Sequence, residues 1–254
     1  MSDVRIEGST ALVTGSNRGI GRAIAVALLE GGAKKVYAGA RRLESVADLA
    51  QEYGDRVVPV ELDVTNRDQV RAAAELATDV DLLINNAGIA ELGGRGFDDE
   101  EWLEAGRREF EVNVLGTFDV TQRFASILGS NGGGGIANVV SIAGITNFPL
   151  FLSYSLSKAA LHSLTQATRV FLAEQGTKVF GIYPGPVDTD MAEDIEFEKV
   201  TPAQAASAIL AGIDAGTEEI YPDPMAIQFG EGFEASPKGL ERMVAQMAAE
   251  GAEA

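Results

Sequence analysis

The sequence predicts an α/β fold: one domain on a doubly wound parallel sheet of about seven strands, with helices on both faces. Three observations predict it. Short β-branched apolar runs alternate with helical stretches along the chain. The apolar runs are nearly continuous, as in strands buried on both faces. A glycine-rich turn joins the first apolar run to the first helical stretch, and open α/β sheets of this kind bind ligands at the carboxyl ends of their strands.

The elements follow in order. TALVTG reads as a buried strand and leads through GSNRGIG into a helix ended by Gly31 and Gly32. KVYAGA is the second strand, and RRLESVADLAQEYG a helix stopped at Gly54. RVVPVELDV is the third strand, and Pro59 within it points to a sheet edge. NRDQVRAAAELAT is a helix with Asn66 as its N-cap, and VDLLIN the fourth strand. Two helices are expected over 99–108 and 109–129, then a fifth strand, IANVVS. A long helix over 153–175, a sixth strand KVFGIYP, a helix over 201–214 and a seventh strand EEIYP complete the alternation. A short amphipathic helix is expected near 237–249. The four glycines 132–135 read as a flexible helix-to-strand turn. No internal linker divides residues 1–254, so a single domain is expected. It carries a short substrate-loop region near 190–200 and a C-terminal extension over about 223–254.

Composition excludes several function classes. At 254 residues and 46% hydrophobic, the chain can bury a real core. It has no cysteine, which rules out disulfides and thiolate chemistry, and its single histidine, His162, argues against a histidine-rich metal site or a histidine triad. No metal is expected. The net charge of -18 repels nucleic acid and anionic membrane. With no apolar leader and no membrane-length apolar run, the expected location is cytoplasmic.

The chemistry-bearing stretches come next. In TGSNRGIG, Gly15 permits a tight turn, while Gly19 and Gly21 let the backbone approach a phosphate and the helix pack on its strand. The second strand closes on AGARR. An acid here would bind a ribose 2′-hydroxyl; this chain has Ala40 and then Arg41 and Arg42, which suit a 2′-phosphate, and Arg18 can close on the same group. NADP(H) is therefore expected over NAD(H). In YSLSK, Tyr154 and Lys158 lie one helical turn apart, a spacing that alone describes an ordinary surface pair.

The chain resembles the short-chain dehydrogenase/reductase family over nearly its whole length. The matching pieces occur in the family's order: TGSNRGIG, Asp63-Val64, NNAG at 85–88, Asn113 in NVLG, Ser141, YSLSK, and PGPVDT at 184–189. The resemblance implies a Rossmann-type fold with Asn113, Ser141, Tyr154 and Lys158 as its catalytic tetrad. It implies cofactor contacts from Gly15, Asn17, Arg18, Gly19, Ile20 and Gly21 in the loop, with Asp63 and Val64 at the adenine. Asn85, Ala87 and Gly88 are implied beside the adenosine ribose, Tyr154 and Lys158 near the nicotinamide ribose. Thr189 and the backbone of Val187 are implied at the nicotinamide amide, with Pro184 and Gly185 as further cofactor contacts.

The chemistry suits those residues. A carbonyl that accepts hydride gains negative charge on oxygen and needs a proton, which Tyr154 can donate. Free tyrosine has a pKa of about 10, so work near neutrality needs about 4 kcal/mol of preferential phenolate stabilisation. A nearby ammonium and a cationic nicotinamide can supply it. Ser141 would hydrogen-bond the substrate oxygen, and Asn113 would hold a water relaying protons from Lys158. His162, one turn beyond Lys158, is expected to pack or to lie at a subunit interface.

The substrate pocket is expected from the segment Ile89 to Leu92, with Ala90, and from Ile142, Phe148, Phe151, Tyr183 and Met191. PDPMAIQFGEGF is expected to fold back over it. An apolar wall and an acidic surface favour a small apolar or aromatic ketone or aldehyde, or the matching alcohol. A 3-oxoacyl-carrier-protein reductase is the alternative, disfavoured because an acidic carrier would be repelled. A non-catalytic NADP(H) sensor is a further alternative, which an intact tetrad counts against. Helices near 109–129 and 153–175 suggest a homodimer contact, and the seventh strand with its preceding helix a pairing into homotetramers.

Overall fold

One parallel sheet carries the fold of this chain, seen in a computed structural model that describes residues 4–91, 96–193 and 197–252. Its strands are β1 (Thr10–Thr14), β2 (Lys35–Ala40), β3 (Val57–Glu61), β4 (Leu82–Asn85), β5 (Gly135–Val139), β6 (Lys178–Ile182) and β7 (Glu219–Ile220). Their order is β3-β2-β1-β4-β5-β6-β7. The chain leaves β1 toward β2 on one side and returns to β4 on the other. That reversal opens a crevice beyond the carboxyl ends of β1 and β4. Every residue of β1, β4 and β5 is buried, which explains why the apolar runs do not alternate. Pro59 does lie on the edge strand β3, where only one ladder is asked of the backbone.

Helices α1 (Gly19–Glu30), α2 (Ala47–Tyr53) and α7 (Pro202–Ala215) cover one face, bringing Ile24, Leu28, Leu49, Ile209 and Ile213 onto Val13 and Val36. On the other face, α3 (Arg67–Leu76) and α5 (Thr117–Ser130) bring Val70, Phe124 and Leu128 onto Leu12, Leu83 and Ile136. Asn66 caps α3, accepting from the N–H groups of Asp68 at 3.1 Å and Gln69 at 3.3 Å. Thr201 and Gln204 form a capping box at α7, with Pro202 in its first turn.

Three features differ from the expectation. The helices α4 (Glu101–Phe110) and α5 run through a π-helical turn at Glu111–Gly116 rather than abutting. The wide turn buries Asn113 completely, and Gly116 makes it possible: a Cβ there would come within 2.7 Å of Val64 Cγ2. Residues Pro224–Ala235 form a helix, α8, that the sequence reading leaves as a returning segment. Together with α9 (Pro237–Ala252), it packs Phe229, Leu240 and Val244 onto Ile142 and Phe148, beside the sheet's carboxyl edge. The glycine run is no loose turn. Gly134 holds a φ of 63°, and a side chain there would strike Asp81 O. Helix α6 (Leu152–Leu172) matches its expected span closely. Among the described residues, no helix is long and apolar enough to cross a membrane.

Candidate active site

A cleft of about 630 Å³ lies over the carboxyl ends of the strands. Its floor at one end is the turn between β1 and α1. Gly15 has a φ of 69°, a conformation that disfavours any side chain, and a Cβ on Gly21 would collide with Gly15 O and Asn86 Nδ2. Two loops are tied together here. Thr14 Oγ1 accepts from the N–H groups of Asn86 and Ala87, both at 2.9 Å, and Asn86 Nδ2 donates to Thr14 O at 2.9 Å. The open N-terminus of α1 faces the cleft with Asn17, Arg18, Gly19 and Ile20. Arg41 and Arg42, at the end of β2, line the same end. Arg18 reaches across the mouth to pair with Asp190 at 2.6 Å. Asp63 and Val64 form the next stretch of wall, with the Asp63 carboxylate fixed by Thr65 N–H at 2.9 Å and Thr65 Oγ1 at 2.7 Å. A close-fitting glycine cradle, a helix N-terminus and a set of guanidinium groups fit a dinucleotide with an added phosphate.

At the other end Ser141, Tyr154 and Lys158 line the cleft together. Ser141 follows β5. Its Oγ accepts from Ala143 N–H at 3.1 Å and donates to Pro184 O at 3.4 Å, and the Tyr154 phenol lies close to it. Helix α6 carries Tyr154 and Lys158 on one face, with Lys158 Nζ 5.5 Å from the Tyr154 ring centre. Lys158 is almost wholly buried and donates to Val139 O at 2.9 Å. Burial governs both groups. It pushes the Tyr154 phenol up to about 12 against the downward pull of the Ser141 hydrogen bond, and it draws the Lys158 ammonium down to about 8. Burial thus opposes ionisation of the phenol and protonation of the lysine alike. Gly88 leaves room for this arrangement, since a Cβ there would sit 3.1 Å from Asn113 Oδ1 and 3.5 Å from Lys158 Nζ.

Asn113 stands behind the cleft wall. Its Oδ1 accepts from Ile89 N–H at 2.8 Å, and its Nδ2 donates to Ile89 O at 2.9 Å and Ser157 Oγ at 3.0 Å. Both amide hydrogens are committed, so the side chain works here as a clamp.

Most expected cofactor and pocket residues line the cleft: Ala87, Gly88, Pro184, Gly185, Val187 and Thr189 on the cofactor side, Ala90, Ile142, Phe148, Phe151 and Met191 on the pocket side. Leu92 and part of the 190–200 loop lie outside the described residues. Two expectations are corrected. Asn85 does not face the cleft; it is buried and donates to Asn138 Oδ1 at 2.8 Å and Thr121 Oγ1 at 3.0 Å, stitching β4 to β5 and α5. Its neighbour Asn86 takes the wall position. Tyr183 is fully buried, its hydroxyl 2.7 Å from His162 Nδ1 and its ring against Tyr221, and it lines no part of the cleft. His162 thus packs, against Tyr183 and edge-on to Phe233.

The segment PDPMAIQFGEGF reaches the cleft, and the 190–200 loop adds to it. Met225 and Phe197 complete the apolar wall, and Phe229 stacks on Phe148 at 5.5 Å. Asp223 places them: its carboxylate accepts from Gly185 N–H and from Ala226 N–H, both at 2.8 Å, tying the loop after β6 to the start of α8. The pair Asp223-Pro224 is an N-cap followed by proline, so a helix-start signal was present.

The family model for short chain dehydrogenase matches residues 9–199. The chain belongs to the short-chain dehydrogenase family. A short chain dehydrogenase from Burkholderia cenocepacia, solved in complex with NADP, is 41% identical with a TM-score of 0.88, over 94% of this chain and 98% of that one. A sorbitol dehydrogenase from Cereibacter sphaeroides is 37% identical over 198 residues, 76% of each chain. A 3-oxoacyl-[acyl-carrier-protein] reductase from Aquifex aeolicus is 33% identical over 200 residues, 74% of this chain and 78% of that protein. Ser141, Tyr154 and Lys158 line one cleft, with Asn113 behind its wall.

Proposed function

We propose that this family member is an NADP(H)-dependent carbonyl reductase and alcohol dehydrogenase acting on small apolar or aromatic ketones and aldehydes. One observation carries the reading: Ser141, Tyr154 and Lys158 converge in a cleft with arginines at one end and an apolar wall at the other. Arg18, Arg41 and Arg42 bind the 2′-phosphate by charge-assisted hydrogen bonds. That set also offsets, locally, the negative charge of the whole chain. Bound NADP(H) supplies the hydride and, in its oxidised form, a positive charge.

The chain's own residues do the rest. Ser141 Oγ hydrogen-bonds the substrate oxygen and holds it beside the phenol of Tyr154. Tyr154 gives its proton to that oxygen as negative charge builds, and takes it back in alcohol oxidation. Lys158 holds the cofactor's ribose and lends its charge to the phenolate. Phe148, Phe151, Met191 and Met225 shed water from the site and favour an apolar substituent.

A second reading, reduction of a 3-oxoacyl group on a carrier protein, is favoured by relatives of that name such as the Aquifex aeolicus enzyme. The acidic surface argues against an acidic carrier. NADPH consumption across ketones, aldehydes and an acetoacetyl-carrier conjugate separates the two. Turnover of aromatic ketones above the carrier conjugate is expected. Rapid use of the conjugate with small ketones untouched would reverse the assignment.

A further inference from the structure

Glu109 is an ionisable group that the tetrad chemistry does not use. It lies on α4, four residues before Asn113, and is 0% exposed. One carboxylate oxygen, Oε1, accepts from Glu91 N–H at 2.8 Å. The other, Oε2, is buried without a partner, and so is the hydroxyl of Ser153, the residue before Tyr154. A buried carboxylate oxygen left unpaired is costly, so such an atom calls for a reason.

Two geometric facts give one. First, Asn113 grips Ile89 by both main-chain groups and Glu109 grips Glu91 by its N–H, one helical turn away. The two side chains hold alternate residues of an extended segment and leave Ala90 between them on the cleft wall. The Glu91 carboxylate is taken up separately by Arg108. Second, α4 packs directly on α6, where Ser153 lies within 3.4 Å of the space a Cβ on Gly106 would fill. Glu109 and Ser153 are thus buried where these two helices pack, Ser153 on the helix that carries Tyr154 and Lys158. The field of the Glu109 charge opposes ionisation of Tyr154 and favours the ammonium of Lys158.

We propose that Glu109 is a positioning residue of this site: it pins the 89–91 wall and serves as the buried counter-charge of the Tyr154–Lys158 pair. Ser153 donates its hydroxyl hydrogen to Oε2, which satisfies both orphaned atoms at once. Without this carboxylate, burial would strip Lys158 of its proton more readily, and the lysine's support of the phenolate would fade at lower pH. Burial raises the Glu109 carboxyl, while hydrogen bonds from Glu91 N–H and Ser153 favour its charged form; the ionisable groups around it are Glu91 from the wall segment, Arg108 from its own helix, and Tyr154 and Lys158 from α6. The inference rests on reading the tetrad as a carbonyl-reducing site.

The direct field at Tyr154 sets the sign, and earlier loss of the Lys158 proton limits its size. Removing the negative charge lowers the pH at which Tyr154 and Lys158 each lose a proton. In alcohol oxidation with NADP+, activity rises as Tyr154 ionises, so the rising limb of kcat/KM against pH moves to lower pH. Glu109→Gln keeps an oxygen for Glu91 N–H and removes the charge; it is expected to move that limb by about half a unit to one unit. Glu109→Leu removes the clamp as well, and is expected to add an increase in KM of about threefold or more. Glu111→Gln, an exposed acid two residues on, is the control and should leave the limb in place. Tyrosinate absorbance of the NADP+ complex, taken as the difference from Tyr154→Phe, follows the same proton without turnover. Were no carbonyl or alcohol turned over, the functional reading would fall while this titration still judged Glu109. A Glu109→Gln profile and titration that superimpose on the parent protein's would overturn the proposal.

Discussion

At Arg41, a guanidinium follows directly on Ala40, the end of β2, where an acid would bind a ribose 2′-hydroxyl. A carboxylate there would bind a ribose hydroxyl and repel a 2′-phosphate. Arg41→Asp is therefore expected to lower kcat/KM for NADPH by about tenfold or more while leaving NADH much less affected. An unchanged ratio of the two constants would place the phosphate elsewhere. Other residues show how far the sequence could be read at this scale. Asn85 and Asn86 are adjacent and identical in type, yet one stitches strands together and the other lines the cleft. Successive residues at a strand end point to opposite sides, so register decides between them, and register is a property of the assembled sheet. Tyr183 went astray for the same reason. It follows β6 directly and turns toward α6, whereas Pro184 and Gly185 turn toward the cleft.

The elements were legible wherever a single period or a terminus signal dominated. β1 to β6 are continuous apolar runs with sharp ends, and Asn66 caps its helix as expected. The π-turn at Glu111–Gly116 left no such mark, because an extra residue in one turn barely disturbs the apolar period around it. Yet this turn puts Asn113 and Glu109 against the 89–91 wall, so an irregularity invisible in the pattern organises the site. Helix α8 was obscured in the opposite way. Gly230 and Gly232 weaken its helical signature, while the Asp223-Pro224 start was plain. Gly230 is small for a packing reason: a Cβ there would lie 2.5 Å from the Tyr221 ring. With α8 seated, Met225 lines the cleft and Phe229 stacks on Phe148 behind it, so the proposed preference for apolar substrates would depend on the C-terminal helices as well as on the loops.

Over the whole molecule, charge and shape set the remaining expectations. A net charge of -18 holds copies apart unless an apolar surface draws them together. Such a surface exists: Phe110, Leu115, Phe118 and Leu156 are substantially exposed on α4, α5, the π-turn between them and α6. A homodimer through these helices is the expected form, with its mass rising toward that of the dimer in static light scattering as salt screens the repulsion. A monomer at every salt concentration would sink that expectation. The sheet order, the glycine cradle and the Ser141, Tyr154 and Lys158 cluster lie within one chain, so the proposed chemistry can be tested directly. Its central claim is that Tyr154 is the proton donor to a carbonyl oxygen. The decisive measurement is NADPH oxidation by an aromatic ketone, with parent protein and Tyr154→Phe compared alongside NADPH binding by fluorescence. Turnover is expected to fall by at least about a thousandfold, with NADPH affinity nearly unchanged. A phenylalanine variant that keeps turning over the ketone would contradict the account.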